Sequence, residues 1–209
     1  MDPLKLVVVS AGLGKPSATR MLADRLAEAV RRGLGEQDRA VDVRVLELRE
    51  LAVDIANNLV TGFPNAALGD AVRAAETADA LIAVSPIFSA SYSGLFKSFF
   101  DVLGHQALTG KPVLIAATGG TARHSLALDH ALRPLFSYLR ATVVPTGVYA
   151  ATEDWGAASG SEDADLTGRI ARAAGELTAL LAGRPASAAP PRDAFAEESV
   201  VPFEQLLAG

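Results

Sequence analysis

A chain of 209 residues, 50% of them apolar, is long enough for one α/β domain with a full core, and no apolar run in it is long enough to cross a bilayer. The formal net charge of -5, with no Lys/Arg block, argues against a nucleic-acid surface. There is no cysteine, which excludes disulfides, thiolate metal sites and cysteine nucleophiles together.

The start, Met1-Asp2-Pro3-Leu4-Lys5, lacks a basic segment followed by an apolar one, so no signal peptide is expected and a cytoplasmic protein is the default. Leu4 to Val9 is an apolar run broken by one lysine, as in strands buried on both faces. After the loop Ser10–Pro16, Ser17 opens a helical pattern to about Arg32, with Leu22, Leu26, Ala29 and Val30 on one face. Val41 to Leu46 alternates apolar and polar residues and reads as a strand nearer the sheet edge. Leu48 to Leu68 reads as irregular, with a turn at Gly62-Phe63-Pro64-Asn65, and Ala66 to Thr77 as a short helix.

Asp79 to Ser85 is a second buried strand, followed by a loop from Pro86 to Tyr92 and a helix from Ser93 to about Leu103. Pro112 to Ala117 is a strand ending at Thr118-Gly119-Gly120, and His124 to Leu139 reads as helix. A fifth strand within Val143–Tyr149 is interrupted near Pro145, and Asp163 to Leu181 is a final helix. These are five βα units, so the fold class is α/β: a flavodoxin-like three-layer fold with a five-stranded parallel sheet. The expected domain is residues 1–182, with 183–209 a Pro/Ala-rich linker and tail. Ligands of such sheets bind beyond the carboxyl ends of the strands, where Ser10–Thr19, Pro86–Gly94 and Thr118–His124 lie.

The first loop is a candidate phosphate site. A helix N-terminus carries unpaired N–H groups and partial positive charge, and a phosphate satisfies both. Ser10, Ser17 and Thr19 add hydroxyls and Lys15 adds charge. A P-loop is excluded, because Val9 stands where its first glycine belongs and Pro16 where its Ser or Thr belongs. A dinucleotide fingerprint has Gly12 and Gly14, and Glu47 as a ribose partner, but Ser17 replaces its third glycine. The plainer alternative is that Ser17 is only a helix cap.

In the second loop, exposed backbone can bond the edge of a flat heterocycle, with Phe88 and Tyr92 along its face; alternatively, both aromatics fold into the core. In the third, Gly119 and Gly120 either let backbone approach a ligand or form a simple turn. Arg123 and His124 follow, where they could meet a phosphate of a pyridine nucleotide. The sequence has neither a nucleophile elbow nor a His-rich metal spacing.

The ordered set Ser10…Ser17-Ala18-Thr19, Pro86-Ile87-Phe88…Ser91-Tyr92-Ser93-Gly94…Lys97 and Thr118-Gly119-Gly120 resembles the NADPH-dependent FMN reductase family over about residues 4 to 182. Ser91–Asp101 and Thr118–His130 look closest to the branch that accompanies luciferase-like flavin monooxygenases. The resemblance implies that Ser10, Ser17, Ala18 and Thr19 hold the FMN phosphate. It implies that Pro86, Ile87, Phe88, Ser91, Tyr92 and Ser93 contact the ribityl chain and ring, and that Thr118, Gly119 and Gly120 meet the pyrimidine side. Many members carry an arginine inside the first loop, where this chain has Leu13, Gly14 and Lys15.

The activity so implied is NAD(P)H-dependent reduction of FMN for a separate flavin-dependent monooxygenase. The alternatives are an FMN-bound quinone or azo reductase, and a flavodoxin-like electron carrier. Hydride transfer between cofactors requires no protein acid or base, so no catalytic residue is assigned. Leu95, Phe96, Phe99, Phe100, Val102 and Leu103 point in too many directions for one core-facing stripe. A homodimer or tetramer is therefore expected, packed through that helix and His124–Leu139.

Overall fold

The computed structural model describes residues 2–155 and 165–183. The strands β1 (Leu4–Ser10), β2 (Val41–Glu47), β3 (Ala80–Phe88), β4 (Ser91–Tyr92), β5 (Pro112–Gly119), β6 (Thr142–Val143) and β7 (Val148–Ala151) form one sheet. Its path is β2-β1-β3-β5-β6, with β7 continuing along β5 beyond β6. Counting β6 and β7 as one interrupted strand gives five parallel positions in the flavodoxin-like order 2-1-3-4-5.

The burial pattern explains that order. β5 is buried along all but its last residue, as suits a strand covered on both faces, whereas β2 alternates and lies at the edge. One face of the sheet packs against helices α1 (Ala18–Gly35) and α6 (Leu166–Ala182), through Leu6, Val8, Ile82 and Leu114. The other packs against α2 (Ala52–Thr61), α3 (Ala66–Thr77), α4 (Gly94–Asp101) and α5 (Arg133–Tyr138), through Val7, Val9, Leu81 and Ile115. Adjacent strand residues thus serve opposite layers, as the two-residue side-chain period requires.

Several expectations are corrected. Leu48–Leu68 is irregular only at the expected turn, residues 62–65; before it a 3-10 turn, Leu48–Leu51, leads into α2. Only Ile55 of this helix is buried, so it carries no apolar stripe of helical period. Pro86 to Tyr92 is not all loop. β3 continues to Phe88, turns through Ser89 and Ala90, both at positive φ, and returns as antiparallel β4. His124–Leu139 is not one helix but a 3-10 turn, a π-helical turn at Leu128–Leu132 and α5. Pro134 has no N–H to bond back four residues, and the wider turn before it accommodates that gap.

The final helix starts at Leu166, capped by Asp165, and its expected first residues lie outside the described residues, as does the tail beyond Gly183. α4 does not spread its apolar residues over the surface. Phe96, Phe99 and Phe100 are buried with Phe136 in one aromatic cluster, ring centres 4.8–6.2 Å apart. Such pairs contribute about 0.5–1.5 kcal/mol each beyond their burial.

Candidate functional site

All three candidate loops leave the carboxyl ends of β1, β3 and β5, the adjacent centre of the sheet. Strand order changes direction beside β1, and that is where such folds open a crevice.

In the first loop Ser10 is buried and Ser17 caps α1, its Oγ accepting from the Arg20 N–H at 3.2 Å. The cap alternative for Ser17 is therefore realised, and the backbone donors of the first turn stay directed at the loop. Gly12 sits against Ser17 so closely that an added Cβ would lie 2.1 Å from its Oγ. Ala18 and Lys15 are exposed. Thr19 is buried, and its hydroxyl meets that of Thr118 at 2.8 Å, joining the first loop to the third. One hydroxyl hydrogen of the pair makes that bond, and the other takes no part in it.

In the second loop the residues divide. Pro86 and Ser93 are buried. Ser93 caps α4 by accepting from the Phe96 N–H at 3.2 Å, and its own N–H donates to Ser85 Oγ at 3.0 Å. Ile87 and Tyr92 are half-buried against the core, and Tyr92 lies 5.7 Å from the Phe96 ring. Ser91 is partly accessible, and Phe88 is 47% exposed. Of the two aromatics, Tyr92 thus largely follows the core alternative, and Phe88 is the one that reaches outward.

In the third loop the paired glycines have different causes. A Cβ on Gly119 would lie 2.0 Å from the Tyr149 hydroxyl, so that glycine answers to Tyr149 rather than to a ligand. Gly120 has nothing within 4 Å of that position and is open to close approach. Tyr149 donates to the Thr121 carbonyl at 2.9 Å and so holds the loop from beneath. Burial, and then the charge of Asp154, push its phenol pKa further above the ordinary value. Arg123 and His124 are exposed in the turn just beyond.

One residue is unmarked in the sequence, and another takes a different part from the one its position suggests. Glu47 is no ribose partner: its carboxylate accepts from Arg20 at 2.6 Å and faces Arg49 Nη2 at 3.0 Å. Arg49, unremarked in the sequence, donates from Nη1 to the Gly14 carbonyl at 3.0 Å. Only its position two residues past a strand end hinted at this.

A helix start rich in N–H and hydroxyl groups fits a terminal phosphate monoester, and the accessible backbone of Gly120 and the exposed ring of Phe88 fit the edge and face of a flat ring. On a sheet of this order, they define a flavodoxin-like flavoprotein domain. The family model for NADPH-dependent FMN reductase matches residues 4–156. An FMN reductase (NADPH) of Pseudomonas aeruginosa is 42% identical over 154 residues, 74% of this chain and 80% of that protein. The NADH-dependent FMN reductase SfnF of Pseudomonas putida is 41% identical over 150 residues, 72% of this chain and 78% of that one. The solved structure of an oxidoreductase from Corynebacterium diphtheriae superposes with a TM-score of 0.83 at 49% identity, covering 88% of this chain and 99% of the other. The chain belongs to the NADPH-dependent FMN reductase family, and it is an oxidoreductase.

Proposed function

We propose that residues 1–182 form the flavin-binding unit of an NAD(P)H:FMN oxidoreductase that takes up free FMN, reduces it and releases it to a separate flavin-dependent monooxygenase. The phosphate is assigned to the first loop, through Ser10, Lys15, Ser17, Ala18 and Thr19. The ribityl chain and ring are assigned to the second and third, with Phe88, Ser91, Tyr92 and Gly120 nearest and Pro86, Ile87, Ser93, Thr118 and Gly119 shaping the wall. Arg123 and His124 are assigned to the nicotinamide nucleotide.

Bound FMN supplies the chemistry, accepting a hydride from the nicotinamide. The chain's part is to hold the ring and leave one face accessible. The observation that carries this reading is the scarcity of aromatic cover. Phe88 is the outward-reaching aromatic of the loops, while Trp155 packs under the Arg25 guanidinium, 5.1 Å from its ring centre. An open face admits the nicotinamide and also lets the flavin leave.

The purified protein is expected to be nearly colourless and to oxidise NAD(P)H only when FMN is added, with free reduced FMN appearing anaerobically. A yellow protein that keeps its flavin through dialysis and oxidises no NAD(P)H would favour the electron carrier. Retained flavin with brisk quinone reduction would favour the quinone reductase.

The protein is further proposed to act in the cytoplasm; among the described residues no helix is long and apolar enough to cross a membrane. It is also proposed to self-associate as a homodimer or tetramer. With the α4 phenylalanines buried, the support comes from Tyr138 on α5, 81% exposed, and from Val53, Val60 and Phe63 on and after α2. Sedimentation at micromolar protein should give a dimeric or tetrameric mass; a monomeric one would overturn self-association.

A further inference from the structure

Because β1 and β2 pair in parallel with Ser10 level with Glu47, the turn after β2 lies beside the loop after β1. A network of charged residues forms there. Glu47 Oε1 accepts from Arg20 Nη1 at 2.6 Å, and Glu47 Oε2 faces Arg49 Nη2 at 3.0 Å. Arg20 belongs to the first turn of α1 and is further tied to Asp24 at 2.8 Å. Arg49 Nη1 donates to the Gly14 carbonyl at 3.0 Å. The loop is therefore staked at two points to the end of β2: at its middle through Gly14, and at the helix it enters through Arg20.

The Arg49 side chain is 17% exposed and that of Glu47 21%, so water competes little for their ion pair, while the bond to the Gly14 carbonyl lies at the exposed rim of the loop. Arg49 Nε is buried and has no acceptor among the described residues. We propose that Arg49 is a positioning residue for the first loop, holding it in the shape that receives the phosphate of FMN. This rests on the reading that the loop carries that phosphate.

The peptide plane supplies the mechanism. In the Gly14–Lys15 unit the carbonyl and the following N–H point in opposite directions. Fixing the Gly14 oxygen on Arg49 therefore turns the Lys15 N–H away from Arg49. The charge of the guanidinium is balanced by Glu47 at 3.0 Å and Glu50 at 3.9 Å, so what Arg49 gives the loop is the tie to Gly14. Without Arg49 the Gly12–Lys15 segment loses its tie to the end of β2.

The test uses Arg49→Ala and Arg49→Lys in the full chain, with FMN and riboflavin compared as ligands by fluorescence titration and as substrates by steady-state kinetics. Arg49→Ala is expected to weaken FMN by about tenfold while changing riboflavin by less than about twofold, because the lost bonds are charge-assisted and act on the phosphate side alone. The loss should appear in KM, with kcat at saturating FMN retained. Arg49→Lys should recover part of the loss, and it carries the test if Arg49→Ala does not fold. Equal losses for both flavins, or an unchanged FMN affinity, would overturn the proposal. A wild-type protein that binds FMN and riboflavin equally would instead remove the phosphate reading on which it rests.

Discussion

Alanine at Gly12 is expected to raise the KM for FMN by at least about tenfold, with a much smaller effect on riboflavin. The added Cβ would lie 2.1 Å from Ser17 Oγ, far inside contact distance, and 3.0 Å from Thr19 Cβ, a tight contact. Ser17 is the easier to move, but turning it away abandons the cap on the Arg20 N–H. A lost cap costs about 0.5–2 kcal/mol, and crowding of a packed site about 1–3 kcal/mol. The strain falls on the first turn of α1, whose N–H groups are assigned to the phosphate. Thr19 would carry it further, into Thr118 and the third loop. Titration with both flavins checks this, alongside thermal melts to show that the fold persists. An FMN affinity within about twofold of wild type would mean that Ser17 and its turn do not hold the phosphate.

Gly119→Ala is expected to be the more damaging change to stability. Its Cβ would sit 2.0 Å from the Tyr149 hydroxyl and 3.1 Å from Cζ. Tyr149 cannot retreat easily. It is 3% exposed, its hydroxyl donates to the Thr121 carbonyl, and its own carbonyl accepts from Arg169 at 3.0 Å. The single substitution should cost about 2–3 kcal/mol and most of the FMN-dependent activity. Tyr149→Phe alone should cost about 1 kcal/mol, the worth of one hydrogen bond. In the double variant the worst contact is gone and the Cζ contact remains, so melting temperature should recover in part. Activity should recover less, because Thr121 still lacks its partner. Thermal melts of the four proteins form a double-mutant cycle; strictly additive losses would show that the two residues do not collide.

The sequence by itself determined the framework. Uninterrupted apolar runs such as Ala80–Val84 report burial on both faces, and the alternation at Val41–Leu46 reports an edge. Small and hydroxyl residues at three strand ends located the candidate loops, since turn and cap chemistry is local. α2 stayed illegible because its apolar residues Val53, Leu59 and Val60 face outward, and periodicity detects a helix only where it buries one face. What tertiary structure alone decided is which side chains meet. Thr19 finds Thr118 across 99 residues, and Arg49 finds Gly14 across 35. Gly119 owes its lack of a side chain to Tyr149, on the neighbouring strand β7. Each of these contacts depends on the strand order and register that bring the loop ends together. Composition and spacing along one segment carry no record of the residue that will lie beside it.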